Sequence, residues 1–149
     1  KGLIQGPAYN SGALRVTNGL KIAEGFLYVD GDLTVAGGLT GKGAIFCTGK
    51  VTISGMSNFG PKDVQAIVAK GDIEITGNGP STSSYQGMVY TEGNFKASQL
   101  TVVGGVVSNN QGNVVKGVTL DHSNMIAAPE TLRPIAAQDP DSNSSVYLT

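Results

Sequence analysis

The sequence predicts an all-β protein, a single-stranded parallel β-solenoid of about five to six short, irregular coils with an extended C-terminal tail. Two observations carry this prediction, a composition suited to strands and turns and a recurring ten-residue phrase. The chain has 149 residues, of which 22 are glycine and only 14% are charged. Abundant glycine, asparagine, serine and β-branched residues favour short strands and turns over long helices.

The recurring phrase alternates apolar and polar residues on both sides of a central glycine or asparagine. Copies begin at residues 12, 25, 43, 65 and 87, and a degenerate copy begins at residue 104. Strict alternation places one set of side chains on the inner side of an extended strand and the other set outside. Equivalent positions that recur at intervals of roughly 18–22 residues are typical of coils stacked in a solenoid.

The inward positions are predicted to stack from coil to coil as one core. Ile45 and Ile67 belong to one such column, and Val51 and Ile73 belong to the next. Cys47 falls in an inward column as well, where we expect a small buried side chain rather than a reactive thiol.

A second column consists of glycines at the centre of the phrase, Gly31, Gly49, Gly71 and Gly93. We expect it to form a corner at positive φ between two short strands of each coil. A return segment, such as residues 36–42, then closes the coil.

The chain is predicted to have two parts. Residues 1–126 form the solenoid, with residues 12–24 as an N-terminal cap or partial coil, because the first interval is too short for a complete coil. Residues 127–149 contain three prolines and a Ser/Asn-rich stretch, so they are predicted to be an extended tail. Whether this tail docks on the solenoid is left open.

No catalytic residue, cofactor or metal site is predicted, and the chain is not expected to be an enzyme. Asp121, His122 and Ser123 are the residue types of a hydrolytic triad, but adjacent residues do not usually converge on one point. Asp30 and Asp32 lack the further carboxylates that calcium requires. The single cysteine and single histidine exclude a multi-cysteine zinc site and a multi-histidine metal centre.

Charge and hydropathy narrow the function classes further. The net charge of −1 argues against a large electrostatic footprint for duplex DNA or for an anionic membrane. The chain has no apolar run of about 18 residues, so no transmembrane segment is predicted in it.

One outward column is predicted to form an apolar ridge, with successive coils about 4.8 Å apart. Its members are Tyr28, Phe46, Val68 and Tyr90, and the copy at residue 12 assigns Arg15 to its first position. A contiguous apolar surface usually marks an interface. Three interpretations stay open: the C-terminal tail covers the ridge, a partner protein binds it, or sugar rings or bases stack on it.

The segments YVDGDLTVAGG, FCTGKVTISG and YQGMVYTEGNFKASQLTVVGGVVSNN, followed by VTLDHSNMI, resemble the β-solenoid domains of bacterial type IV pilin-like and pilus-associated proteins. The resemblance covers residues 25–126. It implies a non-catalytic extracellular module, displayed on a pilus-like fibre or a cell surface for adhesion or for capture of a substrate such as DNA. It also implies a protein partner, either a pilus subunit or a neighbouring domain, with a surface glycan or nucleic acid as further candidates.

Two alternatives remain. Bactofilins, which are self-assembling cytoskeletal solenoids, share the V-x-G-x-h-x-V phrase with this chain. A polysaccharide-binding or polysaccharide-degrading β-helix is the other alternative, and its degrading form requires a pair of carboxylates in a groove. The pilus interpretation also expects this chain to be an excised or processed part, since the hydrophobic pilin helix is absent from it.

Overall fold

The computed structural model describes residues 2–79 and 81–109, and it describes the strand formed by residues 114–121. Every regular element in these ranges is a β-strand. In chain order the strands are β1 (Gly2–Ser11), β2 (Leu14–Val16), β3 (Leu20–Asp30), β4 (Leu33–Ala36), β5 (Leu39–Cys47), β6 (Val51–Met56), β7 (Val64–Ala69), β8 (Ile73–Gly77), β9 (Ser84–Thr91), β10 (Phe95–Ser108) and β11 (Val114–Asp121). Their pairings in the described part are all parallel, and the strands wind into a β-solenoid of about six turns. The predicted fold class is therefore confirmed.

A regular coil has three short strands, whereas the sequence predicted two strands and a return segment. The predicted return at residues 36–42 contains a third strand, the first half of β5, which pairs with β3 from Leu20↔Leu39 to Ala23↔Lys42. Alternation failed to reveal this strand because its second inward position is Gly41. A Cβ atom there would collide with the backbone oxygen of Ile22 in the coil below.

The three strands of each coil stack into three faces, named here by their outward residues. The aromatic face consists of residues 7–11, 26–30, 44–47, 65–69, 87–91 and 104–108. The threonine face consists of residues 14–16, 33–36, 51–54, 73–76 and 95–98. The lysine face consists of residues 2–5, 20–23 and 39–42, and of residues 84–86 and 100–103 further along the axis.

The core lies between the faces and consists of the predicted inward columns. Ile45 pairs with Ile67 on the aromatic face, Val51 pairs with Ile73 on the threonine face, and all four are fully buried. Leu27, Val89 and Val106 extend the first column, and Leu33 and Phe95 extend the second. The alternation in the sequence therefore identified the core from the second coil onward.

The first coil differs from the prediction. The copy at residue 12 was aligned so that Leu14 stacks with Leu27 and Arg15 with Tyr28. In the structure Leu14 pairs with Leu33 and Arg15 with Thr34, both on the threonine face. The first strand of the aromatic face is instead supplied by β1, which precedes the copy. Residues 12–24 thus contain β2 and the start of β3. The predicted tail, residues 127–149, lies outside the described residues.

The glycine column forms the corner between the aromatic and threonine faces, but for a different reason from the one predicted. Gly31 has a φ of 149°, whereas Gly49, Gly71 and Gly93 do not adopt positive φ. Glycine is needed there because the coils approach closely. A Cβ atom on Gly71 would lie 2.7 Å from the carbonyl carbon of Gly49.

Candidate functional site: the aromatic face

The four residues predicted to form the ridge lie in one column of the aromatic face. Tyr28 pairs with Phe46, Phe46 with Val68, and Val68 with Tyr90. Because successive parallel strands lie about 4.8 Å apart, the column from Tyr28 to Tyr90 is about 14 Å long. The structure therefore brings together residues that lie 62 positions apart in the sequence.

Tyr9, which the sequence analysis missed, extends this column at its N-terminal end. It pairs with Tyr28 and occupies the position that had been assigned to Arg15. The alternation of Ala8, Tyr9 and Asn10 was a usable signal for it. The preceding Gly6 and Pro7 hid that signal, since a β-bulge at this point shifts the register of β1 against β3.

These side chains present aromatic surface to solvent. Tyr9 is 65% exposed, Phe46 39% and Tyr90 40%, while Tyr28 and Val68 are half-buried. Phe26, two residues before Tyr28 and on the same face, is 43% exposed. An exposed apolar group of this kind on adjacent strands is uncommon on a protein surface that has no partner.

The aromatic rings contact one another in favourable geometries. The rings of Tyr9 and Tyr28 stack with centroids 5.4 Å apart and planes 10° apart. Phe26 and Phe46 meet edge to face with centroids 6.1 Å apart. Offset stacking and edge-to-face contact are the arrangements that aromatic pairs prefer. The rings of Tyr9, Phe26 and Tyr28, together with Pro7 and Ala8, line a shallow apolar groove.

A polar border follows the aromatic column on the side that leads to the glycine corner. Its members, one on each coil, are Ser11, Asp30, Thr48, Lys70 and Glu92. Thr48 Oγ1 donates a hydrogen bond to Asp30 Oδ1 at 3.0 Å. The face therefore offers flat apolar rings beside hydroxyl, carboxylate and ammonium groups, a combination that suits a ligand with one apolar side and one polar edge.

The carboxylates at the glycine corner are used within the fold. Asp32 Oδ1 accepts a hydrogen bond from the backbone N–H of Lys50 at 2.8 Å, and Asp72 Oδ1 accepts one from the N–H of Asn94 at 2.8 Å. Among the residues with described side chains, no group of three or more histidine, cysteine, aspartate or glutamate residues is arranged to hold a metal ion.

The other candidate residues lie elsewhere. Cys47 is buried, as predicted, and its thiol donates a hydrogen bond to the carbonyl oxygen of Gly31 at 2.8 Å. Burial raises the pKa of this thiol, which disfavours the reactive thiolate. Asp121 is the last residue of β11, and the next two residues in the sequence, His122 and Ser123, lie outside the described residues.

Fold and surface together define the class of this chain, a three-sided parallel β-solenoid with one aromatic face. Comparison with protein-family models, with curated proteins and with solved structures found no match. Within the described ranges, no helix is long and apolar enough to cross a bilayer.

Proposed function

We propose that this chain is a non-catalytic binding module that attaches to a partner or a surface through its aromatic face. The observation that carries the proposal is the exposed column that includes Tyr9, Phe46 and Tyr90. Tyrosine and phenylalanine supply large contact areas at a low cost in side-chain entropy, and a tyrosine hydroxyl can keep a hydrogen bond at a wet interface. A rigid stack of strands also holds these rings in place before a partner arrives, which lowers the entropic cost of binding.

The place of action in this proposal is the outside of a bacterial cell, on a pilus-like fibre or on the cell surface. This part rests on the resemblance of residues 25–126 to pilus-associated domains. Its biological role would then be adhesion or capture of a substrate, with DNA as one candidate. The partner that holds the module on the fibre would be a pilus subunit or a neighbouring domain.

Adsorption of the full chain to three films tests the proposal: an octyl-terminated film, a cellulose film and a film of double-stranded DNA. Mass bound to each film is followed with a quartz crystal microbalance. We expect saturable adsorption to the octyl or cellulose film. Tyr28→Ser combined with Tyr90→Ser should reduce the apparent affinity at least tenfold, because the replacement removes two of the four aromatic rings in the column.

The matched control changes the threonine face, with Thr34→Ser combined with Thr52→Ser, and should leave adsorption within twofold of the parent. The proposal fails if the parent adsorbs to none of the three films, or if the tyrosine variant adsorbs like the parent. Thermal melts of both variants show whether a loss of adsorption reflects unfolding. A tyrosine variant that melts much earlier would mean that these rings stabilise the fold instead.

A further inference from the structure

A groove on the lysine face is lined by cations and has an aliphatic floor. One wall is formed by the first halves of β3 and β5, and the other wall is the loop at residues 57–63. Lys21, Lys42 and Lys62 line the groove, and its accessible apolar lining residues are Ala23, Pro61 and Val64. The groove lies on a different face from the aromatic column, so it is independent of the function proposed above.

Among the described side chains, no ion pair involves the lysines of this groove. Side chains are described for six lysines, and three of these line this one groove. The ion pair found among the described side chains joins Lys50 to Glu74, at 3.9 Å, and lies on another face. Lys21 pairs with Thr40 in the register, and Lys42 lies two residues further along the same strand. This offset places the Cα atoms of the two lysines about 8 Å apart.

Two acidic residues, Glu24 and Asp63, also line the groove. Asp63 Oδ2 accepts a hydrogen bond from the backbone N–H of Gly60 at 2.8 Å, so its carboxylate helps to close the loop. Glu24 lies at a corner with a φ of 56° and is exposed. The groove thus has three lysines against two carboxylates, a small excess of positive charge, within a chain whose net charge is −1.

The wall that carries Lys62 is attached to the stack by one hydrogen bond and closed on itself by another. The backbone N–H of Phe59 donates to Ser84 Oγ at 2.9 Å, and the N–H of Asp63 donates to the carbonyl oxygen of Gly60 at 3.0 Å. Phe59 also packs against the buried ring of Tyr85, with centroids 5.3 Å apart. The groove is therefore formed before any ligand binds.

The chemistry of the lining selects one class of ligand. No aromatic side chain lines the groove, so it offers no platform on which bases or sugar rings could stack. Lysine ammonium groups attract carboxylates, and the aliphatic floor accepts aliphatic side chains. We propose that this groove binds an extended acidic peptide segment of a partner protein, in which carboxylates alternate with aliphatic residues.

Fluorescence anisotropy tests this proposal with a fluorescein-labelled octapeptide of alternating glutamate and leucine. The full chain should bind it saturably, and binding should weaken as sodium chloride is raised, because salt screens exposed charges. Lys21→Gln combined with Lys42→Gln should weaken binding at least tenfold. Lys70→Gln combined with Lys96→Gln removes the same charge from other faces and should change binding less than twofold.

Each other outcome would overturn the proposal. Absence of saturable binding at millimolar concentration would do so, as would equal losses in the two lysine variants, which would indicate non-specific attraction. Oligothymidine of matched charge, if it binds more tightly and with the same sensitivity to Lys21 and Lys42, would make the groove a nucleic-acid site instead. Tyr28→Ser with Tyr90→Ser should bind the peptide like the parent, which separates this result from the test of the aromatic face.

Discussion

Two regions of the solenoid solve the same stacking problem in different ways. At the corner between the aromatic and threonine faces, backbone meets backbone on successive coils. The N–H of Gly49 donates to the carbonyl oxygen of Gly31 at 3.0 Å, and the N–H of Gly71 donates to that of Gly49 at 3.0 Å. On the lysine face this repetition is interrupted after the third strand, because residues 57–63 leave the stack as a loop, and it resumes where residues 84–86 pair with residues 101–103.

Side chains replace the missing strand on the lysine face. Gln65 Nε2 donates to the carbonyl oxygen of Thr40 at 3.1 Å, and the N–H of Leu39 lies 3.4 Å from Met56 Sδ. The Tyr85 hydroxyl contacts the carbonyl oxygens of Gln65, at 2.7 Å, and Met88, at 3.0 Å. Backbone groups that a neighbouring strand would have satisfied are thus paired by particular side chains.

The comparison shows what each solution demands of the sequence. The regular corner tolerates only glycine at its centre, because a Cβ atom would collide with the coil below. The interrupted face needs polar side chains to be buried, and two of their atoms, Thr40 Oγ1 and Gln65 Oε1, have no hydrogen-bond partner among the described residues. One such atom, Asn94 Oδ1, also lies beside the regular corner. An unpaired buried polar group costs about 1–3 kcal/mol, so both regions bear this cost, and the interrupted face bears it twice.

The largest expected effect is in the regular stack, where Ile67 is fully buried between Ile45 and Val89. Ile67→Ala should lower the free energy of unfolding by about 2–5 kcal/mol, since it leaves a cavity in a filled aliphatic column. Urea unfolding measures the change. Lys70→Ala is the control, since this exposed residue directly follows the same strand, and it should cost under about 0.5 kcal/mol. A similarly small cost for Ile67→Ala would contradict the register.

A pair of glycine substitutions compares the two regions directly. Gly71→Ala at the regular corner should cost about 1–3 kcal/mol, because the new methyl group must displace backbone of the coil below. Gly60→Ala in the loop should cost much less, since the nearest heavy atom, Asp63 Oδ2, would lie 3.5 Å from the new Cβ atom. Thermal unfolding of both variants measures this difference. Equal costs would show that close approach of the coils does not explain the glycine column.

Tyr85→Phe examines the interrupted face and should cost about 0.5–1.5 kcal/mol at neutral pH, the usual net value of one hydrogen bond. The substitution should also change how the free energy of unfolding depends on pH in the alkaline range. Burial raises the pKa of Tyr85 well above its ordinary value, so the folded chain keeps a proton that the unfolded chain releases near pH 10. The free energy of unfolding must therefore fall as the pH rises above about 10.

Urea unfolding of the parent and of Tyr85→Phe between pH 8 and pH 11 tests this dependence (a range set about the ordinary tyrosine pKa of roughly 10). The parent should lose stability more steeply at the alkaline end than the variant does. Parallel curves would mean that Tyr85 ionises as readily in the folded chain as in the unfolded one, and that the interrupted face is open to solvent.

Alternation along the sequence predicted the buried columns and the order of Tyr28, Phe46, Val68 and Tyr90, because both follow from the two-residue period of a strand. It could not reveal the third strand of the coil, whose inward residues are Leu39 and Gly41. A glycine that allows close approach carries no apolar signal. The sequence also could not show that the loop with Lys62 would lie beside Lys21 and Lys42, since this contact depends on how far residues 57–63 bulge from the stack.

The prediction for the first coil was wrong for a related reason. The phrase at residue 12 has the right composition, but its two halves belong to different faces from those of later copies. Leu14 and Val16 lie on the threonine face, and Leu20 and Ile22 lie on the lysine face. The face to which a copy belongs depends on the strands beside it. The strand before this copy, β1, does not show regular alternation, because Gly6 and Pro7 interrupt it.

The direction of the ladders sets how this molecule responds to mechanical tension. Hydrogen bonds between coils run along the solenoid axis, since the strands stack in that direction. A pull between the two ends opens the ladders at the terminal strands first, so coils detach one after another, each held only by its neighbour. A pull on a side face shears many ladders at once. A tether that grips the aromatic face therefore loads the solenoid in its stronger direction.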